Sequence, residues 1–518
     1  MPVMKTPGVY IEEKNAFGYS VVAVPTAVPA FVGYTEKAEL GGQSCAGKPV
    51  SIPSLAAFHS IFGHAPHAVF ELKEAPGSDA RIHAGPTRKG YSVQQVAGRF
   101  GLYWAMQLFF LNGGSGCTIV SVGQYGDGKD EEKNRAAIDP EALKAGIAAL
   151  EQEAEPTMLV VPDAVGLPDA AACIAVQQAM LRHCGLKTRN RVALLDVYDG
   201  HQELKDGPID RFREHLGSEG LDFAAAYYPH LHTSVVDPSS QLGYQNVLGS
   251  SALLQMLRED LDLQKAPKMR ALVDELSSAL DPSVRHPHRV DQQDLTPEQL
   301  DKALWAASPA FTAMRNEMAW QLNRLPPSPA IAGILCRVDA EIGVWQAPAN
   351  VSVAAAVRPA VELTDEDQAS LNVTPGGKSV NALRSFNGPE GVVVWGARTL
   401  DGNSLDFRYL HVRRTVILLE ESCRLAVRAY ALAPNEPSTW ATIRSMLEDF
   451  LKGIHAQGGL AGPQAEDAFS VQVGLGQTMT PQDILEGLLR VTVLVAVTRP
   501  AEFIEITIVQ KMSTPGPG

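Results

Sequence analysis

Two short apolar runs, Met158-Leu159-Val160-Val161 and Val192-Ala193-Leu194-Leu195-Asp196-Val197, decide the fold class of this chain. A helical pattern precedes the first run at 140–152, and a second helical pattern lies between the two runs. Buried strands that alternate with amphipathic helices are typical of a parallel sheet covered by helices. We therefore predict an α/β core over residues 136–230, with a further strand at 222–228.

The segments on either side of this core differ from it in composition and in hydrophobic pattern. Residues 36–95 are polar and rich in Gly, Pro and His, which predicts a loop-rich insertion. A helix is predicted over 96–111 and a strand over 117–122. Beyond the core, residues 240–325 have a mostly helical pattern, and Pro326-Pro327 indicate a boundary.

The second half of the chain reads as an α+β domain. Short apolar runs at 392–395, 416–419 and 491–497 predict strands. They surround a strongly amphipathic helix at about 438–455, in which the apolar residues recur at 3.6-residue spacing.

Both ends of the chain have the pattern of strands without local partners. Near the start, Pro7-Gly8 break any helix, and the following residues alternate between apolar and polar side chains. Near the end, a run with isoleucines on one face follows Pro500. Because such strands cannot bury themselves alone, each arm must pack on the body of its own chain or on another chain. The residues concerned are Val9, Tyr10 and Ile11 in the N-terminal arm and Phe503, Ile504, Ile506 and Ile508 in the C-terminal arm.

Composition excludes several classes of function. The chain has 58 acidic and 44 basic residues, so its net charge of −14 opposes nonspecific binding to nucleic acid or to an anionic membrane. Its 6 cysteines form no CxxC pair, which indicates buried free thiols in a reducing compartment. No apolar run reaches the ~20 residues of a membrane span. We expect synthesis and folding in the bacterial cytoplasm.

Motifs for catalysis, metal binding or cofactor binding are incomplete. The stretch Gly42 to Lys48 resembles a phosphate-binding loop, but Pro49 stands where the magnesium-binding hydroxyl is needed. Asp163 and Asp196 follow predicted parallel strands, where ligands bind in many α/β enzymes and where helix caps are also common. Five histidines lack the spacing of metal ligands, and we interpret them as solvated loop residues. They are His59, His64, His67, His286 and His288. We predict no catalytic, metal or cofactor site.

Arginines are concentrated in the C-terminal half of the chain. A charged face toward another protein is favoured over a nucleic-acid surface, because the chain is acidic and exposed aromatics are not interleaved with the arginines. The arginines in question are Arg384, Arg398, Arg408, Arg413, Arg414, Arg424 and Arg428.

Several segments, in the right order, resemble the contractile tail sheath proteins of phage tails and related injection machines. The N-terminal part of the resemblance lies in Thr6–Glu13, Val24–Gly33 and Phe110–Gly114. The strongest matches lie in the second half: Gly343–Asn350, Val394–Leu400, Arg408–Arg414, Glu436–Ile454 and Arg499–Ile504.

The resemblance implies a multi-domain sheath subunit. The expected domains are an N-terminal extended arm (1–22), a variable outward-facing α/β domain (23–335), an α+β sheath domain near the tube (336–500), and a C-terminal strand arm and tail (501–518). In this family such arms add strands to the sheets of neighbouring subunits. An extended arm of ~20 residues spans about 60–70 Å, which is long enough to reach a neighbour.

The resemblance also implies the partners and the role. The expected partners are further copies of the chain in stacked rings or a helix, an inner tube protein, and baseplate and terminal cap proteins, with sheath paralogues as an optional addition. Nucleic acid and direct membrane insertion are not expected. The final location would be a phage tail or a phage tail-like particle, including released particles. Two alternatives stay open: a hydrolase-like α/β enzyme built on 136–230, and a related tail cap or baseplate component.

Overall fold

The structure, a computed structural model, describes residues 20–126, 137–261, 267–281, 295–372, 376–386 and 391–500. Contacts between residues divide the chain into two compact units. The larger unit comprises residues 24–418, and the smaller unit comprises residues 1–23 together with 419–518.

A nine-stranded sheet forms the centre of the larger unit among the described residues. Its strands, in spatial order, are β15 (Val351–Ser352), β18 (Val392–Trp395), β17 (Asn381–Ser385), β11 (Ala224–Tyr228), β10 (Val192–Asp196), β9 (Met158–Val160), β1 (Pro29–Thr35), β8 (Cys117–Gln124) and β4 (Pro49–Ile52). Six neighbouring strands, from β17 to β8, run parallel. The mixed α/β class predicted from the apolar runs is confirmed.

Three smaller sheets complete the described strands of the larger unit. In spatial order they are β13 (Val247–Leu248), β5 (Val69–Glu74), β7 (Lys89–Ala97) and β6 (Ile82–Ala84); β14 (Arg324–Leu325), β12 (Leu231–Thr233) and β16 (Ala356–Pro359); and the pair β2 (Glu39–Leu40) and β3 (Gln43–Ser44).

The helices of the larger unit occur before, between and after these strands. They are α1 (Leu55–Phe62), α2 (Leu102–Leu111), α3 (Pro140–Ala149), α4 (Ala170–Arg182), α5 (Pro208–His215), α6 (Pro238–Gln241), α7 (Ser250–Asp260), α8 (Pro267–Leu280), α9 (Pro297–Ala307), α10 (Pro309–Leu322), α11 (Ser328–Glu341), α12 (Asp365–Asn372) and the first part of α13 (Leu410–Arg428).

Helices cover both faces of the central sheet. Phe31 of β1 contacts Phe109 of α2, with ring centroids 5.1 Å apart. The next residue, Val32, points to the opposite face, where a Cβ added to Gly146 of α3 would lie 2.5 Å from it. Because the sheet is buried on both faces, its strands are continuously apolar rather than alternating.

The smaller unit is built around one long helix and a pair of strands. Its described elements are the rest of α13, α14 (Pro437–Ala456), α15 (Ala465–Ala468), β19 (Phe469–Val473), α16 (Pro481–Leu485) and β20 (Val491–Val495). The buried face of α14 includes Ile443, Leu447 and Leu451, at helical spacing, and α14 packs on β19. The helix expected at 438–455 is confirmed.

Two expectations differ from the structure. The apolar run 416–419 is predicted as a strand, but it lies within helix α13, where Ile417, Leu418 and Leu419 are buried. Short apolar runs do not distinguish a buried strand from a helical face, so this prediction is wrong for a physical reason. The segment 36–95 contains α1 and six strands in addition to loops.

The expected domain boundary at residue 335 does not interrupt the sheet. Strands β15, β17 and β18 from beyond this residue join the same sheet as β11, through parallel pairing of Tyr227 with Asn381. The outward and tube-facing placement of the expected domains stays a prediction.

Candidate functional site

Three segments that carry the sheath resemblance meet near one edge of the central sheet. The Asn350 N–H donates to the Val394 carbonyl at 2.7 Å, which links 343–350 to β18. The Leu410 N–H donates to the Ala397 carbonyl at 2.9 Å and fixes the start of α13. Asn350 has a φ of 57°, a left-handed conformation that asparagine adopts more readily than most residues. These motifs therefore shape the backbone at this edge.

The arginines of the last motif are buried and paired inside the larger unit. Arg414 donates to both carboxylate oxygens of Asp339, at 2.9 and 2.6 Å. The Arg413 guanidinium lies 3.7 Å from the ring centroid of Phe223. Arg398 is also buried. For these three arginines the predicted role as a charged face toward a partner is wrong, because the side chains stabilise the fold internally.

Asp163 occupies the crevice where the strand order reverses. The strands β8 and β9 lie on opposite sides of β1, so the loops at the carboxyl ends of β1 and β9 diverge there, and ligands commonly bind in such a crevice. Here the Asp163 carboxylate accepts the backbone N–H groups of Tyr34, at 2.7 Å, and Gly101, at 2.5 Å. A Cβ at Gly33 would lie 2.5 Å from Oδ2 of Asp163, which explains why this motif position is a glycine. The Asp163 carboxylate is thus occupied by backbone donors of its own chain.

Asp196 also forms its hydrogen bonds within the chain. Its carboxylate accepts the backbone N–H of Ser328 at 2.8 Å and the Ser328 hydroxyl at 2.5 Å, which holds the start of α11 against the end of β10. Burial raises the pKa of Asp163 to about 6 and the pKa of Asp196 to about 7. Neither carboxylate is presented at the surface, so the enzyme alternative loses its two sequence-based candidates.

The other chemical motifs acquire structural roles or fall outside the described residues. Pro49 begins strand β4 rather than a helix, so the segment ending at Lys48 lacks the strand–loop–helix context of a phosphate-binding loop. The rings of His59 and His64 lie 4.9 Å apart. Across the described residues, no group of three or more His, Cys, Asp or Glu side chains is arranged to hold a metal ion. His286 and His288 lie outside those residues.

The smaller unit contains a sheet of only two strands. Strands β19 and β20 are antiparallel, with Val471 opposite Val493, and the described residues supply no third strand. The valines of β20 that face α14 are only half-buried, and Leu494 on the other face is 54% exposed. Helix α14 covers one face of this pair, and its edges lack further described strands, so the sheet is a candidate site for strand addition.

Hydrogen-bond directions identify the open edge. The N–H of Ala496 donates to the carbonyl of Ala468, on the β19 side of the strand, at 2.8 Å. Because N–H directions alternate along a strand, the N–H and C=O groups of Val491, Val493 and Val495 point away from β19. We call these three residues the β20 edge. They offer backbone donors and acceptors to an added strand.

Both arms are connected to this smaller unit. Residues 1–23 and the chain after β20 belong to it, and a groove of about 650 Å³ beside α14 is lined partly by Ser20 and Val21. The predicted arm residues Val9, Tyr10, Ile11, Phe503, Ile504, Ile506 and Ile508 all lie outside the described residues. Their contacts therefore stay predictions.

Strand β19 is the part of this site that the sequence interpretation missed. Its sequence, Phe469-Ser470-Val471-Gln472-Val473, alternates strictly between apolar and polar residues. That period-2 pattern is the signal that predicts a half-buried strand. Its burial in the structure follows the pattern, with Val471 and Val473 buried and the two polar residues exposed.

Comparison with solved structures shows full-length relatives. The helical sheath of the anti-feeding prophage (AFP) in its contracted state is 26% identical, with a TM-score of 0.58 over 98% of this chain and all of that chain. A chain of the six-fold symmetrised AFP baseplate gives the same values. The sheath complex of PVC, an extracellular contractile injection system, in its contracted state is 24% identical, with a TM-score of 0.58 over 99% of both chains.

These comparisons confirm the resemblance to contractile sheath proteins. No family model and no curated protein matches the sequence. Among the helices in the described ranges, none combines the length and apolar character needed to cross a membrane.

Proposed function

We propose, from its full-length relationship to contractile tail sheath proteins, that this chain is the structural subunit of a contractile sheath that polymerises around an inner tube. The observation that carries the proposal is the 26% identity with the contracted AFP helical sheath over essentially the whole of both chains. The commitment of Asp163 and Asp196 to backbone contacts supports a structural rather than an enzymatic role.

Polymerisation proceeds by strand exchange in this proposal. The arms, through Val9–Ile11 and Phe503–Ile508, add to the open β19–β20 sheets of neighbouring subunits. Backbone groups along the β20 edge supply the hydrogen bonds, and alternate side chains of the arms occupy apolar positions. Because the donating and accepting surfaces differ, the contact is head-to-tail and extends into rings or a helical array.

Contraction follows from the same connections. The extended sheath is a kinetically trapped state that copies the spacing of the tube. After triggering at a baseplate, subunits rotate as nearly rigid bodies into a denser array, with the arms as hinges. The chain itself needs no hydrolysis for this stroke, and small energies per subunit add along the tube.

The proposed partners are the chain itself, the inner tube protein, and baseplate and terminal cap proteins. Assembly takes place in the bacterial cytoplasm, and the final location is a phage tail or tail-like particle. A subunit of the baseplate region is the second candidate function, because an AFP baseplate chain matches this chain equally well.

Self-assembly distinguishes these functions. Purified full-length chain, examined by electron microscopy with and without tube protein, should form long tubes. A baseplate or cap component would stop at a single ring. A small closed oligomer with measurable substrate turnover would contradict the sheath proposal.

A further inference from the structure

A second surface of the larger unit has the chemistry of a binding site. A cleft of about 800 Å³ opens at the carboxyl ends of the parallel strands β9 and β10. Its walls include the loop after β10, the strand β12 and the end of α10. The side chains that matter are His201, His230, His232, Trp320, Arg324 and Arg358. All of the residues that line this cleft belong to the larger unit.

The three-stranded sheet places two arginines and a histidine side by side in this cleft. His232 on the central strand β12 lies directly opposite Arg324 on β14 and opposite Arg358 on β16. Directly opposite residues have Cβ atoms about 4.5–5.5 Å apart and share a face of the sheet. The sheet thus presents a row of Arg324, His232 and Arg358, which we call the cationic row.

The cationic row has little compensating negative charge. Within the described chain, neither Arg324 nor Arg358 has a carboxylate within ion-pair distance, and both are exposed. The acidic side chains of the cleft form no ion pair with the row. Asp199 acts on Arg324 through its charge but lies 4.0 Å from Arg211. Glu317 accepts a hydrogen bond from Gln321, and Asp163 accepts backbone N–H groups. Two guanidinium groups without an ion-pair partner leave N–H donors that an anion can accept.

Trp320 holds two members of the row in place. The ring of His232 stacks on the Trp320 ring, with centroids 3.7 Å apart and planes at 14°. The Arg358 guanidinium lies 4.8 Å from the same Trp320 ring centroid. Nδ1 of His232 is buried without a hydrogen-bond partner, so Nε2 is the ring nitrogen available to the cleft. These contacts limit side-chain motion and so reduce the entropy lost on binding.

The histidine pKa values agree with a positive field. The pKa of His232 is lowered to about 4, first by burial and then by Arg358 and Arg324. The pKa of His230 is lowered to about 3 by burial, with contributions from His201 and Arg324. His230 therefore stays neutral and donates its Nε2 proton to the carbonyl of Val197, at 3.1 Å.

We propose that the cationic row binds an oxyanion, a carboxylate or a tetrahedral sulfate- or phosphate-like group. The two guanidinium groups supply charge-assisted hydrogen bonds, and His232 donates from Nε2. The anion joins β12, β14 and β16 and therefore stabilises this part of the larger unit.

Calorimetric titration of the full-length chain tests this proposal. Sodium sulfate and sodium acetate are titrated separately at constant ionic strength, with chloride as the balancing anion. The two titrations distinguish a tetrahedral group from a carboxylate. The wild type should bind at least one of them saturably. The double variant R324Q/R358Q should bind about tenfold more weakly or not at all.

Matched variants separate specific binding from a change in net charge. R182Q/R337Q removes two arginines elsewhere in the same unit, one paired with Glu219 and one bonded to the Ser352 carbonyl, and should bind like the wild type. R324K/R358K keeps the charge without the planar fork and should bind with intermediate affinity, which also serves if the glutamine variant does not fold. Absence of saturable binding in the wild type, or equal affinity in R324Q/R358Q, would overturn the proposal.

Discussion

Substitution of Val493 by proline tests whether the β20 edge accepts a strand. The N–H of Val493 points away from β19, so proline removes a donor that no described strand uses and that an added strand would use. Proline is tolerated on edge strands when its missing N–H faces outward. We therefore expect the V493P subunit to fold, with a melting temperature close to that of V493A, while its assembly is weakened.

The expected magnitude follows from one lost hydrogen bond. A backbone hydrogen bond contributes about 0.5–1.5 kcal/mol net, and the proline ring also disturbs the fit of the added strand. A loss of roughly 1.5 kcal/mol per junction raises the critical concentration for assembly about tenfold. V493A is the matched baseline, since it loses the valine side chain but retains the N–H.

Sedimentation at a series of protein concentrations measures the critical concentration of each variant. Circular dichroism melting measures the stability of the subunit before assembly. L494P provides a second control, because its N–H points toward β19 and its loss should destabilise the hairpin itself. If V493P and V493A pellet at the same critical concentration, the β20 edge does not accept a strand, and the reasoning from hydrogen-bond directions is refuted.

Three further expectations concern the arms and the buried carboxylates. Deleting residues 1–20 should leave a soluble, folded subunit that forms no sheath, and normal long tubes in electron micrographs would contradict the linking role of the N-terminal arm. Ile506→Asp should leave monomer melting near normal but abolish pelleting, because burying one isoleucine contributes about 1.5–3 kcal/mol and a charge opposes burial; unfolding of the variant would instead assign this strand to its own subunit's core. Burial raises the folded-state pKa of Asp196 from 3.8 to about 7, so its contribution to stability is complete below pH 4 and is lost as pH rises through 7. That change amounts to roughly 4 kcal/mol, and Asp196→Asn should flatten the fall in melting temperature between about pH 4 and 7.

The parallel core was predictable because burial on both faces leaves a simple signature. Strands β9, β10 and β11 are continuously apolar and alternate with amphipathic helices, and no other common arrangement gives that pattern. The run 416–419 shows where the same signature fails. Four apolar residues fit a strand equally well, and only the longer pattern over α13 distinguishes the two.

Only part of the candidate site could be predicted, because the residues that form it are far apart in the sequence. Strand β19 has a clear alternating pattern, but the sequence does not show that it pairs with β20, 22 residues along the chain from Val471 to Val493. The cationic row depends on strands near residues 232, 324 and 358 becoming adjacent. For Arg413 and Arg414 the sequence predicts an exposed charged face, because arginines are usually exposed. In the structure the two side chains are buried, Arg413 against Phe223 and Arg414 against Asp339.

The two units differ in whether their backbone N–H and C=O groups have partners. In the larger unit, the Asp163 carboxylate accepts two backbone N–H groups at the point of strand reversal, beside a cleft that stays open. In the smaller unit, the backbone groups of the β20 edge have no strand beside them among the described residues. An unprotected edge is an aggregation hazard that monomeric proteins normally cover, twist away or charge, yet this edge consists of valines. A chain whose β20 edge is hydrophobic and has no neighbouring strand among the described residues is suited to partners that bring strands, as the proposed strand exchange requires.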